Sequence, residues 1–126
     1  MRKRLLGVAF LLLFFPACSH VQKTVMAVSG NPYEGSSDLL PLGEATYKSH
    51  CTRCHGMTGL GDGPDSSTLT VALPNFSDGS YDKSLGLVAG NITYGKREEM
   101  PAFQDQLSEK EIWSVASYIQ SLRQKT

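Results

Sequence analysis

Two cysteines and a histidine stand within five residues, Cys51-Thr52-Arg53-Cys54-His55. This spacing constrains the fold more than any other feature, because C-x-x-C-H is the signature of covalent c-type haem attachment. Each thiol forms a thioether with one haem vinyl group, and His55 is then held against the iron as the proximal ligand. A chain of this kind must fold round a large, flat, apolar plate. Iron held by a histidine is a one-electron redox centre. Two other uses of such cysteines fail on context. A thioredoxin-type redox pair needs a βαβ pattern, and the flanking residues have none. A structural zinc site needs further spaced Cys or His ligands, and no second CxxC or HxxxH pair exists.

The first residues read as an export signal. Arg2, Lys3 and Arg4 are followed by an apolar run from Leu5 to Phe15, interrupted by Gly7, and then by small Ala17. The run is too short for a comfortable membrane span, and the order of charge, apolar stretch and small residue is that of a signal peptide, expected over residues 1–17. The third cysteine, Cys18, follows at once. Phe15-Pro16-Ala17-Cys18 resembles a bacterial lipoprotein box, in which the cysteine becomes the lipidated first residue. Ordinary cleavage near Ala17, with Cys18 incidental, is the alternative. The resemblance implies an exported protein, lipid-anchored on the periplasmic face of a bacterial membrane. Residues 1–17 carry three basic residues and no acidic ones, so the remainder has nine basic against twelve acidic residues. A nucleic-acid partner is excluded on that balance, since such domains are usually strongly basic.

Residues 18–40 are polar and lack sustained periodicity, which predicts a lipidated N-terminus and flexible tether. Val25-Met26-Ala27-Val28 is the one short run there that reads as a strand able to dock. The globular part is expected over residues 41–126, small enough to need the haem as a staple. Three helices are predicted. The first runs from about Leu42 to Cys54, with Gly43, Tyr47 and Cys51 on one face. The second runs from about Ser84 to Tyr94 and stops at Gly95. The third begins at a capping box, Ser108 and Glu111, and continues as the stripe Ile112, Val115, Ala116, Ile119 and Leu122. Residues 56–81 are rich in Gly and Pro and read as loop. The fold class is all-α.

A six-coordinate haem needs a donor on its other face. His50 lies one residue before the motif and cannot cross the ring, and Met57 follows His55 too closely. Met1 leaves with the signal, and His20 and Met26 sit in the tether. Met100 is left, in a loop followed by Pro101, Ala102 and Phe103, where Pro101 fixes φ. A gap-filling core role is the bland alternative for a methionine, with Met26 the next candidate ligand. His/Met ligation raises the reduction potential and closes both faces of the iron.

Taken together, these stretches resemble the class I monohaem cytochromes c. The likeness covers about Leu42 to Leu122. It rests on Gly43-Glu44-Ala45-Thr46-Tyr47, Cys51 to Gly56, Gly59-Leu60-Gly61-Asp62-Gly63-Pro64, Asn91 to Gly95, Met100 to Phe103, and Trp113 with Tyr118. The resemblance implies a small cytochrome c fold of three main helices around one covalent haem c. It implies that Gly43 lets the first and last helices cross against Tyr118. It implies that the Pro64 carbonyl accepts a hydrogen bond from Nδ1 of His55. Tyr94 and Trp113 are implied to line the pocket, or else to be core aromatics. Tyr81, Lys96 and Arg97 are possible propionate partners. The GDGP-type loop is most similar to haem domains of bacterial respiratory and dehydrogenase complexes. The function implied is electron transfer between redox-protein donor and acceptor, as an anchored carrier and not an enzyme. The alternative is a fixed subunit of a respiratory or dehydrogenase complex, and a haem enzyme or gas sensor ranks behind both.

Overall fold

The computed structural model describes residues 18–96 and 99–123. Five α-helices are present among them: α1 Cys18–Val28, α2 Leu39–His50, α3 Thr52–His55, α4 Leu85–Tyr94 and α5 Glu109–Leu122, with a 3₁₀ turn at Ser66–Thr68. Among the described residues the sole β-type pairing is an isolated bridge between Lys96 and Met100. The all-α expectation holds. The expected signal peptide and Arg97 lie outside the described residues.

The predicted first helix is two helices. α2 ends at His50, and Cys51 breaks the run with φ −114° and ψ −27° before α3 begins. The second and third helices form where their caps place them. The Ser84 hydroxyl accepts from the Leu87 N–H at the start of α4, and Gly95 ends it at φ +70°. Ser108 and Glu111 form the reciprocal capping box of α5, which satisfies two otherwise orphaned amides. α5 is buried on most of its circumference, with Ile112, Trp113, Ser114, Val115, Ala116, Tyr118, Ile119 and Leu122 all inside. It is the central strut, and α2 and α4 both pack on it.

The α2–α5 crossing is close because Gly43 has no side chain. A Cβ there would meet the Ser114 carbonyl group and come within 2.9 Å of the Tyr118 Cβ. One turn on, Tyr47 is fully buried and packs on the Tyr118 ring, centroids 5.3 Å apart. This matches the implied role of Gly43.

The expected flexible tether is corrected. Residues 18–28 form α1, and α1 packs on α4. The composition hid this because α1 makes its contacts through backbone atoms, Lys23 and the single methionine Met26, set against glycines of α4, and not through an apolar stripe. A Cβ on Gly86 would collide with the Met26 carbonyl, and one on Gly90 would touch Lys23. The Lys23 ammonium donates to the Gly95 carbonyl at 2.8 Å, and the Ser84 hydroxyl donates to the Ala27 carbonyl at 3.2 Å. Val25 to Val28 is accordingly the last turn of a helix and not a docking strand. Residues 29–38 continue as turns tied to the body, with the Asn31 amide donating to the Ser117 hydroxyl at 3.1 Å.

The Gly43→Ala variant should lose about 1–3 kcal/mol of stability in denaturant unfolding, because the Ser114 backbone cannot step aside. The intrinsic helix gain of Ala over Gly, about 1 kcal/mol, works the other way, so a stabilised variant would show that the crossing can open at little cost.

Candidate functional site

α3 is a single turn and has too few residues to satisfy its own carbonyls. The loop after it does so. Gly61 N–H donates to the His55 carbonyl at 2.9 Å, Gly63 N–H to the Cys54 carbonyl at 3.1 Å, and Asp65 N–H to the Arg53 carbonyl at 2.8 Å. Alternate residues of the loop thus cap successive residues of the motif. Gly61 sits at φ +79°, and a Cβ on Gly63 would run into the Thr52 and Arg53 carbonyls, so both positions require glycine. The Arg53 guanidinium closes the same loop from outside with a two-pronged pair to Asp65, at 2.8 and 3.0 Å. This pair holds the Asp65 carboxyl below its usual range.

Gly56 ends the motif at φ +77°, and its carbonyl accepts from the buried Tyr47 hydroxyl at 2.8 Å. Burial raises the Tyr47 phenol, so it stays a donor. The Cys-His segment is therefore pinned at both ends, by α2 through Tyr47 and by the glycine loop.

Within that frame Cys51 and Cys54 are free thiols, each half-buried. Burial pushes the Cys51 thiol up to about 12, with the neighbouring Cys54 adding to the effect, so it is uncharged at neutral pH. Burial also lowers the His55 pKa, which keeps the imidazole neutral. The His55 ring stacks on Phe76 with centroids 4.7 Å apart, and Phe76 in turn meets Tyr81 edge-on at 5.1 Å.

His55 Nδ1 is buried and has no hydrogen-bond partner. The expected bond to the Pro64 carbonyl is therefore not formed here. The stacking on Phe76 sets the plane of the ring, and the amides of Gly61, Gly63 and Asp65 fix the loop through the carbonyls of His55, Cys54 and Arg53. These residues fit a covalent haem: two half-buried cysteines of one motif, an imidazole with a buried nitrogen that has no hydrogen-bond partner, and an aromatic wall.

The Met100 loop is anchored to the end of α4. Lys96 and Met100 exchange backbone bonds at 2.9 and 3.3 Å, and the Phe103 and Gln104 amides donate to the Ile92 and Thr93 carbonyls at 3.0 and 3.2 Å. Gly95 permits this, because a Cβ there would lie 2.6 Å from the Met100 carbonyl oxygen. Met100 is half-buried against the core, and Phe103 packs edge-on to His50, one residue before the motif, at 6.0 Å. The fold thus brings the loop of Met100 to the start of the Cys-His segment across about fifty residues of sequence.

Tyr94 and Trp113 stand elsewhere. Both line a cleft of about 570 Å³ whose opposite wall includes Met26 and Pro32 of the N-terminal segment, and no residue of the Cys-His motif borders it. The cleft lies between α4, α5 and the N-terminal segment. A second cleft of about 430 Å³ lies over the motif loop, lined by Arg53, Met57, Asp62 and Pro64 among others. Phe76 carried no signal in the sequence beyond being one of two aromatics, with Tyr81, in a loop of Gly and Pro. Tyr81 accepts at its carbonyl from Arg123, and Lys96 is exposed.

Residues 39–119 match the family model described as cytochrome C oxidase, cbb3-type, subunit III. The chain is 29% identical over 106 residues to the cbb3-type cytochrome c oxidase subunit CcoP of Cereibacter sphaeroides, covering 82% of this chain and 34% of that protein. It is 34% identical over 80 residues to cytochrome c6 of Chlorolobion braunii, covering 64% of this chain and 86% of that one. The chain spans about a third of the length of the CcoP protein but most of the cytochrome c6. Among solved structures it superposes on a chain of the Kuenenia stuttgartiensis reducing HAO-like protein complex with a TM-score of 0.65 and 30% identity. That match covers 74% of this chain and 47% of the other.

Covalent attachment at the motif predicts that denatured protein keeps its haem stain on a gel. The Cys51→Ala/Cys54→Ala double variant should lose it, and haem extractable from the parent by acidic solvent would refute the linkage.

Proposed function

This chain belongs to the c-type cytochromes, in the family of the cbb3-type oxidase subunit III, and on that footing we propose a lipid-anchored periplasmic electron carrier with His55 and Met100 as iron ligands. Bound haem c supplies a one-electron redox centre. Cys51 and Cys54 hold it, and the loop from Gly56 to Asp65 keeps their backbone from moving. His55 offers a neutral nitrogen because burial disfavours its charged form. The chain's part in electron transfer is to bind, orient and keep water from the centre.

The observation that carries the His/Met reading is the placement of the Met100 loop, hydrogen-bonded to α4 and packed through Phe103 against His50. A thioether is a soft, uncharged donor, and the rigid Pro101 that follows limits its freedom. Met26, the other candidate, is already engaged: its sulfur accepts from the Thr93 hydroxyl at 3.5 Å. Met ligation closes the second face of the iron, which favours electron transfer over oxygen chemistry.

A fixed subunit of a larger complex is the second reading. Its support is that the CcoP relative is by name an oxidase subunit and that a structural neighbour is by name part of a complex. Purification in mild detergent separates the two, since a carrier comes away alone and a subunit brings neighbours.

Replacing Met100 with Ala should abolish the weak far-red sulfur–iron band, lower the reduction potential and open the iron to carbon monoxide. An unchanged spectrum would assign the ligand elsewhere. Anchoring through Cys18 rests on the lipoprotein-like box. The Cys18→Ser variant should leave the membrane fraction as a soluble holoprotein with an unaltered spectrum. An intact mass with no added lipid would end the anchor reading and leave the haem assignment standing.

A further inference from the structure

α1 is amphipathic in the unexpected sense. Its protein-facing side is made by Lys23, Met26 and Ala27, whose backbone and side-chain atoms meet Gly86, Gly90 and Ser84 of the α4 region. Its outward side is the apolar one. Val21, Val25 and Val28 follow at helical spacing and are 61%, 57% and 83% exposed. Three valines on one stripe, turned to solvent and extending about 10 Å along the helix, are an unfavourable arrangement in water.

The position of this helix in the chain says what covers the stripe. Its first residue is Cys18, one turn before Val21. The apolar run Leu5 to Phe15 ends three residues earlier. A lipidated Cys18 starts the helix at the bilayer surface. No linker separates that point from the stripe. Among the described residues no helix is long and apolar enough to cross a membrane, so a bilayer that meets α1 meets it side-on.

We propose that α1 is a surface-lying membrane helix, with Val21, Val25 and Val28 seated in the headgroup–acyl boundary of the bilayer that holds Cys18. This rests on the lipid-anchor reading and changes its consequence. Interfacial helices bury their apolar face about 5–10 Å into this boundary. Because α1 is clamped to α4 through Gly86 and Gly90, the haem domain is held flush with the membrane in one orientation. It does not swing on a tether. The bilayer removes the exposed valines from water, and the lipid supplies most of the affinity.

The test uses the full-length lipidated holoprotein in vesicles of phosphatidylethanolamine and phosphatidylglycerol. Cys51 and Cys54 are consumed by haem and Cys18 by lipid, so an introduced cysteine is the sole free thiol. A nitroxide is placed by V21C, V25C or V28C, with S49C on the exposed side of α2 as the control. Each holoprotein is first checked by its haem spectrum. In the three stripe variants, collisions with dissolved oxygen should rise and those with a water-soluble nickel reagent should be lost, relative to S49C. Stripe labels as open to nickel as the control would overturn the proposal while an intact mass with lipid keeps the anchor. Labels shielded from both reagents would mean that protein covers the stripe, a second copy or a partner subunit, and would overturn it too. An intact mass without lipid refutes the anchor and this inference together.

Discussion

Two backbones meet at Gly43 of α2 and Ser114 of α5, and the position of the haem-attachment segment follows from that crossing. α5 is buried nearly all round, so it fixes the frame. α2 rests on it where Gly43 removes the side chain that would hold them apart. Tyr47, one turn later, both packs on Tyr118 and reaches the Gly56 carbonyl just beyond His55. A buried tyrosine hydroxyl left without an acceptor costs about 1–3 kcal/mol, so this bond specifies where the motif ends as well as stabilising it. The helix crossing and the haem attachment segment are thus one mechanical unit.

A second constraint is the shortness of α3. A single turn cannot satisfy its carbonyls, and burying them unpaired would oppose folding. The glycine loop solves this by donating from residues 61, 63 and 65 to residues 55, 54 and 53. Chain direction reverses tightly, and only glycine permits it at positions 61 and 63. The same loop then delivers Phe76, whose amide bonds the Gly59 carbonyl at 2.7 Å and whose ring stacks on His55. Local backbone accounting therefore builds the wall of the site.

Much of the site was legible in the sequence because its chemistry demands residue types at fixed spacing. Cys51, Cys54 and His55 serve one cofactor within one turn, so no long-range information is needed to identify them. The capping box at Ser108 and the stop at Gly95 were equally local. Phe76 was not legible, since an aromatic in an irregular loop has no periodicity to reveal it. Nor was α1. Its contacts use Gly86 and Gly90 and the polar end of Lys23, and these look like features of an exposed segment until α4 is placed beside them. The cleft lined by Tyr94, Trp113 and Met26 was not legible either, since it forms only when the N-terminal segment meets α4 and α5.

The sequence by itself determined the cofactor, the all-α class, the stop of α4 at Gly95 and the capped start of α5, because each depends on interactions within about one turn of chain. Only the tertiary structure decided which way α1 turns its valines, where the loop of Met100 lies, and what His55 stacks on. These depend on contacts between residues twenty to seventy positions apart, and no local pattern encodes the direction from which a distant surface arrives.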